Sequence, residues 1–282
     1  MQKLAALEEI DYLVIGHITR DLTPQGPRMG GTATFSGLTA RALGMRVGIV
    51  TAWGEELPMD PLDQIVIVYH LTESSTTFEN IYTSRGRIQT VQTVAPTLSF
   101  YHIPETWRQA PIIHLGPVAQ EVDPGIVRHV SSSLIGLTPQ GWLRAWDEKG
   151  HVYASEWPEA SFALQQAGAA VISVEDVENS EERIEEMASS CRILAVTEAS
   201  HGSRLYWNGD VRRFRPPPVK EVDATGAGDI YAAAFFTRLY TTRDPWEAAR
   251  FATQLSAYSV TRTGLDSIPT TAEIQECMVE VL

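Results

Sequence analysis

Cysteine is almost missing from this sequence: Cys191 and Cys277 are the only two in 282 residues. They are too few and too far apart for a disulfide framework or a cysteine-built metal site, and they suit an intracellular chain with free thiols. Long apolar runs are missing as well. No stretch approaches the ~20 residues that a helix needs to cross a bilayer, and the opening Met1-Gln-Lys-Leu-Ala-Ala-Leu-Glu-Glu9 lacks the apolar core of a signal peptide. The expectation is a cytoplasmic protein. Positive charge is short too, with 22 basic residues against 35 acidic ones and a formal net charge of −13. That balance argues against a nucleic-acid or acidic-membrane partner and fits a self-repelling monomer or homodimer. A polyanionic ligand would need a local positive patch or a metal ion. No internal repeat, low-complexity tract or linker divides the chain. The Gly-rich stretch near the first apolar run is not Gly-x-Gly-x-x-Gly, which weighs against a dinucleotide-binding enzyme.

What is present is a core. At 44% hydrophobic and 20% charged, 282 residues can form one large α/β domain. Short apolar runs ending in turn residues read as buried strands: Asp11–Gly16, Arg46–Thr51, Ile65–Tyr69, Pro111–Pro117, Leu134–Pro139, Ala169–Ser173 and Ile193–Thr197. Helical patterns lie between them, at Met29–Gly44, Glu178–Met187 and Pro245–Thr261. This alternation implies a mainly parallel sheet covered on both faces. Thr76–Val94 has another texture, alternating around Ser84-Arg-Gly-Arg87 like a β-hairpin. Ala199–Gly209 reads as a loop and hairpin.

In such sheets ligands meet the chain beyond the C-terminal ends of strands. Asp21, just after the first strand, either meets a substrate there or makes a local turn. Gly30-Gly31 before a helix permits close backbone approach. Arg144, past the fifth of these strands, either reaches a phosphate or substrate hydroxyl or is a surface cation. His114 lies within an apolar run, where a packed, hydrogen-bonded core histidine is the simpler reading.

The most informative stretch is Val219-Lys-Glu-Val-Asp-Ala-Thr-Gly-Ala-Gly-Asp229, followed by Ile-Tyr-Ala-Ala-Ala-Phe-Phe-Thr-Arg-Leu-Tyr240. Eleven residues without Gly or Pro read as a buried helix starting at or beside Asp229. Gly226, Ala227 and Gly228 form a Gly-rich entry that turns unpaired N–H groups and the positive helix end toward one point. Asp229 adds a carboxylate able to accept the proton of a hydroxyl attacking a phosphoryl group. The plainer alternative is a tight turn with a capping Asp.

The string Asp223-Ala-Thr-Gly-Ala-Gly-Asp229 resembles the second signature of the ribokinase (PfkB-type) family of small-molecule kinases, and Gly30-Gly31 through Leu43-Gly44 is similar to its first. The resemblance implies a three-layer α/β/α fold with a mainly parallel central sheet and a small β lid. It implies one domain over 1–282, with lid segments at 17–28 and about 70–103. It also implies transfer of the γ-phosphoryl of ATP to a hydroxyl of a sugar, cyclitol or nucleoside, with Mg2+ bridging the phosphates and, in some members, a monovalent cation. Asp229 becomes the base and Gly226, Ala227 and Gly228 the anion cradle. Asp21, Gly30, Gly31 and Arg144 become acceptor contacts, and Thr197, Gly202, Thr225, Gly226, Gly228 and Thr253 nucleotide contacts.

Several positions depart from the family pattern. Phe35 stands where Asn is common, and Thr253 where an adenine-side Asn is frequent. Ser173-Val-Glu-Asp176 replaces Asn-x-x-Glu, leaving Asp176 to order metal-bound water, and Ala199 replaces a usual Gly. Gly30-Gly-Thr-Ala-Thr-Phe-Ser36 and Gln140-Gly-Trp-Leu-Arg144 look closest to plant-type myo-inositol kinases, with ribose or nucleoside kinases as the alternative. A catalytically silent sugar- or nucleotide-binding protein is the reading from another class.

Overall fold

The computed structural model describes residues 8–278 apart from 55, 57, 84–85 and 131–133. In chain order the first half runs β1 (Tyr12–Ile15), β2 (Thr19–Thr23), β3 (Gly26–Gly30), α1 (Thr32–Ala42), β4 (Val47–Trp53), β5 (Val66–Leu71), β6 (Thr77–Thr83), β7 (Gly86–Thr93), β8 (Ile112–Leu115) and β9 (Leu134–Leu137). The second half runs β10 (Arg144–Trp146), β11 (Val152–Ala154), α2 (Ala160–Gln166), β12 (Ala169–Ser173), α3 (Glu181–Ser190), β13 (Ile193–Thr197), β14 (Ser203–Trp207), β15 (Asp210–Phe214), α4 (Ala227–Thr242), α5 (Pro245–Ser259) and α6 (Thr271–Met278).

Nine strands form the central sheet in the order β15-β14-β13-β12-β9-β8-β1-β4-β5. Every neighbouring pair from β13 to β5 is parallel; at one edge β14 runs antiparallel to β13, and β15 antiparallel to β14. Alternate side chains of each strand serve opposite faces, as a two-residue period requires. Leu13 and Ile15 join the core beneath Trp107, Val122, α2 and α3, whereas Tyr12 and Val14 join the core beneath α1, α4, α5 and α6. This is an α/β/α sandwich, as the resemblance implied.

The sheet grows one way from β1 through β4 and β5, and the other way through β8, β9, β12 and β13. The order therefore reverses beside β1, and a crevice opens beyond the strand C-termini there. β2 after β1, and the loops after β8, β9 and β12, all line that crevice.

A second sheet has the order β3-β2-β6-β7. It draws on residues 19–30 and 77–93. β5 pairs with β4 in the main sheet, and Leu98 and Ile103 pack in the main core, so the sheet's later part is shorter than the expected 70–103, while its earlier part runs to Gly30 rather than to 28. Its turn residues Ser84 and Arg85 lie outside the described residues. The β10–β11 hairpin extends it through a Thr90–His151 bridge.

Three polar residues tie the second sheet to the first. His17, fully buried after β1, bonds Thr76 Oγ1 (2.7 Å) and the Pro96 carbonyl (3.1 Å) through its two ring nitrogens. Glu121, also buried, accepts N–H bonds from His17, Val118 and Ala119. Thr51 Oγ1 accepts from the Ile18 N–H at 2.9 Å. The two chain crossings that carry β2 and β6 away from the core are thereby pinned together.

Candidate active site

A cleft of 2330 Å³ lies between the C-terminal edge of the central sheet and the second sheet. That exceeds the few hundred to ~1,000 Å³ of an ordinary small-molecule site and leaves room for two substrates.

Its centre is the start of α4. Ala, Phe, Ile and Leu dominate this helix, which is buried from Ile230 through Thr237 and again at Leu239. It begins after Gly226, whose φ of 78° is left-handed and suits glycine alone at low cost. A Cβ at Gly226 would also overlap the Phe35 ring. Phe35 is therefore the packing surface beneath this turn. No side chain caps α4. The Ala227 N–H is engaged with the Ala224 carbonyl at 3.2 Å. The Gly226 and Gly228 N–H groups have no acceptor among the described residues, and a Cβ on Gly228 would meet nothing within 4 Å. The cradle is thus open at Gly226 and Gly228 rather than at Ala227.

Asp229 follows in the first turn of α4, half-buried in the cleft floor. Burial lifts its carboxyl from the ordinary 3.8 to about 6, opposed by a hydrogen bond from Thr32 and by the Arg144 charge, and reinforced by the negative charges of Asp176 and Asp21. The Ser36 hydroxyl bonds the Asp229 carbonyl at 3.1 Å, tying α1 to α4. A carboxyl with a pKa close to the working pH, beside unpaired main-chain donors, suits a base that takes a proton as an anion is stabilised.

Asp21, on β2, lines the same cleft as Asp229 and accepts from the Thr19 hydroxyl at 2.8 Å. Gly31 lines it too, with φ 85° and its missing Cβ making room for the His17 carbonyl. Gly30 lies behind: a side chain there would collide with the Asp21 carboxylate. Arg144 lines the cleft near Asp229. Thr197, Gly202, Thr225 and Thr253 line its other end. There Gly202 has φ 96°. Ala199 holds φ 49°, a left-handed geometry that explains why glycine would serve at that position. Thr253 is buried, and its hydroxyl is engaged with Ser203 Oγ and the Ala249 carbonyl, both at 2.7 Å. It forms wall rather than an offered polar contact.

Asp176 also lines the cleft. Both its oxygens already accept, from the Ser173 N–H at 2.8 Å and Gln140 Nε2 at 3.2 Å. Among the described residues no three His, Cys, Asp or Glu side chains converge on a metal-sized point. One carboxylate fits an Mg2+ that arrives on phosphates and keeps its own waters.

Sequence reasoning missed Thr32 and Thr138. Thr32 lies within the Gly30–Ser36 motif, which does not single it out, and Thr138 is a lone hydroxyl that no motif marks. They become notable only because Gly116 lets β8 end between them: a Cβ there would overlap Thr32 and come 3.3 Å from Thr138 Oγ1.

A two-faced parallel sheet with a second sheet over its C-terminal edge defines a ribokinase-like fold, and the cleft between them holds the candidate active site at the start of α4. The fold aligns over 95% of this chain and 100% of a pyrophosphate-dependent kinase in the ribokinase family, with a TM-score of 0.79 at 17% identity. Residues 151–272 match the pfkB family carbohydrate kinase model. Cytidine kinase of Thermococcus kodakarensis is 23% identical over 80% of this chain and 87% of its own length. Inositol 3-kinase of Zea mays is 29% identical over 45% of this chain, but only 33% of its own length. These similarities are to sugar and nucleoside kinases.

Proposed function

We propose that the protein transfers the γ-phosphoryl group of ATP to a hydroxyl of a small polyol, with myo-inositol as the leading acceptor and ribose or a nucleoside as alternatives. The acceptor lies between Asp21, Arg144 and Asp229. Its hydroxyl proton passes to the Asp229 carboxylate while its oxygen bonds to phosphorus and the bond from phosphorus to the leaving phosphate oxygen breaks. The Gly226 and Gly228 N–H groups hold the charge on the transferring group. Bound Mg2+ would supply charge neutralisation of the phosphates, with Asp176 positioned to hold one of its waters.

The observation that carries this reading is that Asp229, with a pKa near 6, shares one cleft with Asp21 and the open N–H groups at the start of α4. ATP is favoured because the cleft continues past Thr225 to Pro217, Val219, Ser256, Ala257 and Leu265, a wall of small and apolar residues suited to a flat base. Pyrophosphate would leave that end empty. The second sheet acts as a lid over the acceptor, since Asp21 on β2, Asn80 on β6 and Gln89 on β7 line the cleft, and its closure excludes water. In this reading residues 1–282 form one catalytic unit.

The test is 31P detection of product with ATP or pyrophosphate as donor and myo-inositol, ribose, fructose or cytidine as acceptor, in potassium and in choline buffer with Mg2+. Expected are ATP-dependent turnover and highest kcat/KM for one polyol. Binding of acceptors without turnover by either donor would favour a silent binding protein instead.

A further inference from the structure

Beneath the acceptor end of the cleft a chain of three side chains runs into the core. Tyr12, fully buried in β1, places its hydroxyl 3.1 Å from His114 Nδ1. His114, fully buried in β8, places Nε2 2.9 Å from Thr138 Oγ1. Thr138, just beyond β9, is the member that reaches the cleft. Phe236 of α4 packs edge-on against the imidazole at 5.0 Å between centroids and helps fix its plane.

Two hydrogen arrangements are conceivable. If His114 carried its proton on Nδ1, it would donate to the Tyr12 oxygen. The phenolic hydrogen would then have no acceptor in a fully buried position, which is costly. If the proton is on Nε2, Tyr12 donates to Nδ1 and His114 donates to Thr138 Oγ1, so the two fully buried donors are satisfied and only the Thr138 hydrogen, at the cleft, is left over. A doubly protonated ring is disfavoured, because burial depresses the imidazole to about 3. In the favoured arrangement the Thr138 oxygen already accepts from inside. Among the described residues no other acceptor takes its hydrogen, which is left to point at the cleft.

We propose that His114, itself out of reach of any substrate, fixes the Thr138 hydroxyl as a donor into the acceptor site, making Thr138 a specificity-determining contact for an oxygen lone pair on the acceptor. This rests on the kinase reading above for what binds there, but not for the direction of the hydroxyl. Thr138 stands next to Thr32, which bonds Asp229, so the acceptor oxygen it meets lies near the one that reacts. His114 and Tyr12 are positioning residues.

The closing experiment has two arms. Long-range 1H–15N correlation of 15N-histidine protein at pH 7, with His114 assigned by its loss in His114→Gln, should show the Nε2–H tautomer. The Nδ1–H tautomer would overturn the proposal whatever the enzyme does. In the second arm, Thr138→Val should raise KM roughly tenfold for whichever of myo-inositol, ribose, fructose and cytidine the wild type phosphorylates best. KM for ATP should stay unchanged, and Thr138→Ser should restore the acceptor KM. An unchanged acceptor KM in folded Thr138→Val overturns the proposal. Absence of turnover with all four defeats the kinase reading instead, and the tautomer still decides the proposed geometry.

Discussion

Asp229 carries two consequences at the scale of a single residue, both from one cause. Its carboxyl stands at about 6 rather than 3.8 chiefly because it is buried, so the reactive, ionised form is the one that the fold disfavours. In its proposed role as base it must be deprotonated. Accordingly, kcat/KM should rise with pH through about 6 and level above it; a profile flat from pH 5 to 8 would remove Asp229 from the rate equation. Stability should run the other way. A carboxyl whose folded pKa is raised contributes stability that is full below 3.8 and lost as pH rises through about 6. Asp229→Asn escapes that loss, and thermal melts should show a smaller decline from pH 5 to pH 8 than in the wild type. The difference is bounded by about 3 kcal/mol and reduced by the open face of the residue. A stable but inactive variant is the usual mark of a functional rather than structural residue. The hydroxyls around it act by position alone. Thr32 lies in the Gly-Gly-Thr-Ala run of the first signature and Thr138 in Gly-Leu-Thr-Pro, and nothing in either linear pattern says that the first will bond Asp229 or the second a buried histidine.

At the scale of elements, the entry to α4 and the anchoring of the second sheet can be tested separately. Gly226→Ala would force a Cβ into the Phe35 ring at φ 78°. A loss of roughly 1–3 kcal/mol in stability is expected, together with a fall in kcat, because the Gly228 and Asp229 amides move with the turn. Gly228→Ala has open space at Cβ, so its melting temperature should hold while the added methyl crowds the phosphate and raises the donor KM. Equal melting temperatures for wild type and Gly226→Ala would contradict the packing argument.

For the second sheet, Glu121→Gln replaces a carboxylate that accepts from three N–H groups. An amide there faces donors with its own donor. Urea titration should show roughly 1–3 kcal/mol lost, and the acceptor KM should rise through the slackened Asp21 segment with little change in the ATP KM. A parallel rise in both constants would mean that Glu121 serves the whole cleft and not the lid.

Elements were unequally legible in advance. The parallel strands announced themselves because burial on both faces leaves unbroken apolar runs, as in Tyr12–Ile15 and Ala169–Ser173. The α4 start was legible because Gly226 needs φ > 0 and the apolar run behind it has no breaker. The residue pattern alone does not show the β2–β3 hairpin, because Pro24, Gly26 and Pro27 break it at an edge where missing N–H donors are harmless; only the resemblance places lid strands at 17–28. β10, β11 and α6 are short and half-exposed, with too few apolar positions to show a period. The acidic helix starts at Glu181, three residues later than its charge pattern suggested, because Glu178 and Asn179 take positive φ.

At the scale of the whole molecule, the proposed function asks a chain of net charge −13 to take a polyanionic donor into a cleft that holds Asp21, Asp176 and Asp229. The main-chain donors at Gly226 and Gly228, with Arg144 and Arg215 on the lining, supply local compensation without altering the sign of the molecule. In the proposed function a divalent cation bound with the donor would lower the same barrier. The central claim is that phosphoryl transfer depends on a carboxylate set at the mouth of a helix-start anion cradle. It is measured most directly by following phosphorylated acceptor formed from ATP at pH 8, comparing wild type with folded Asp229→Asn. The account predicts product from the wild type and a rate roughly 10²–10⁴-fold lower from the variant. Equal rates would contradict it.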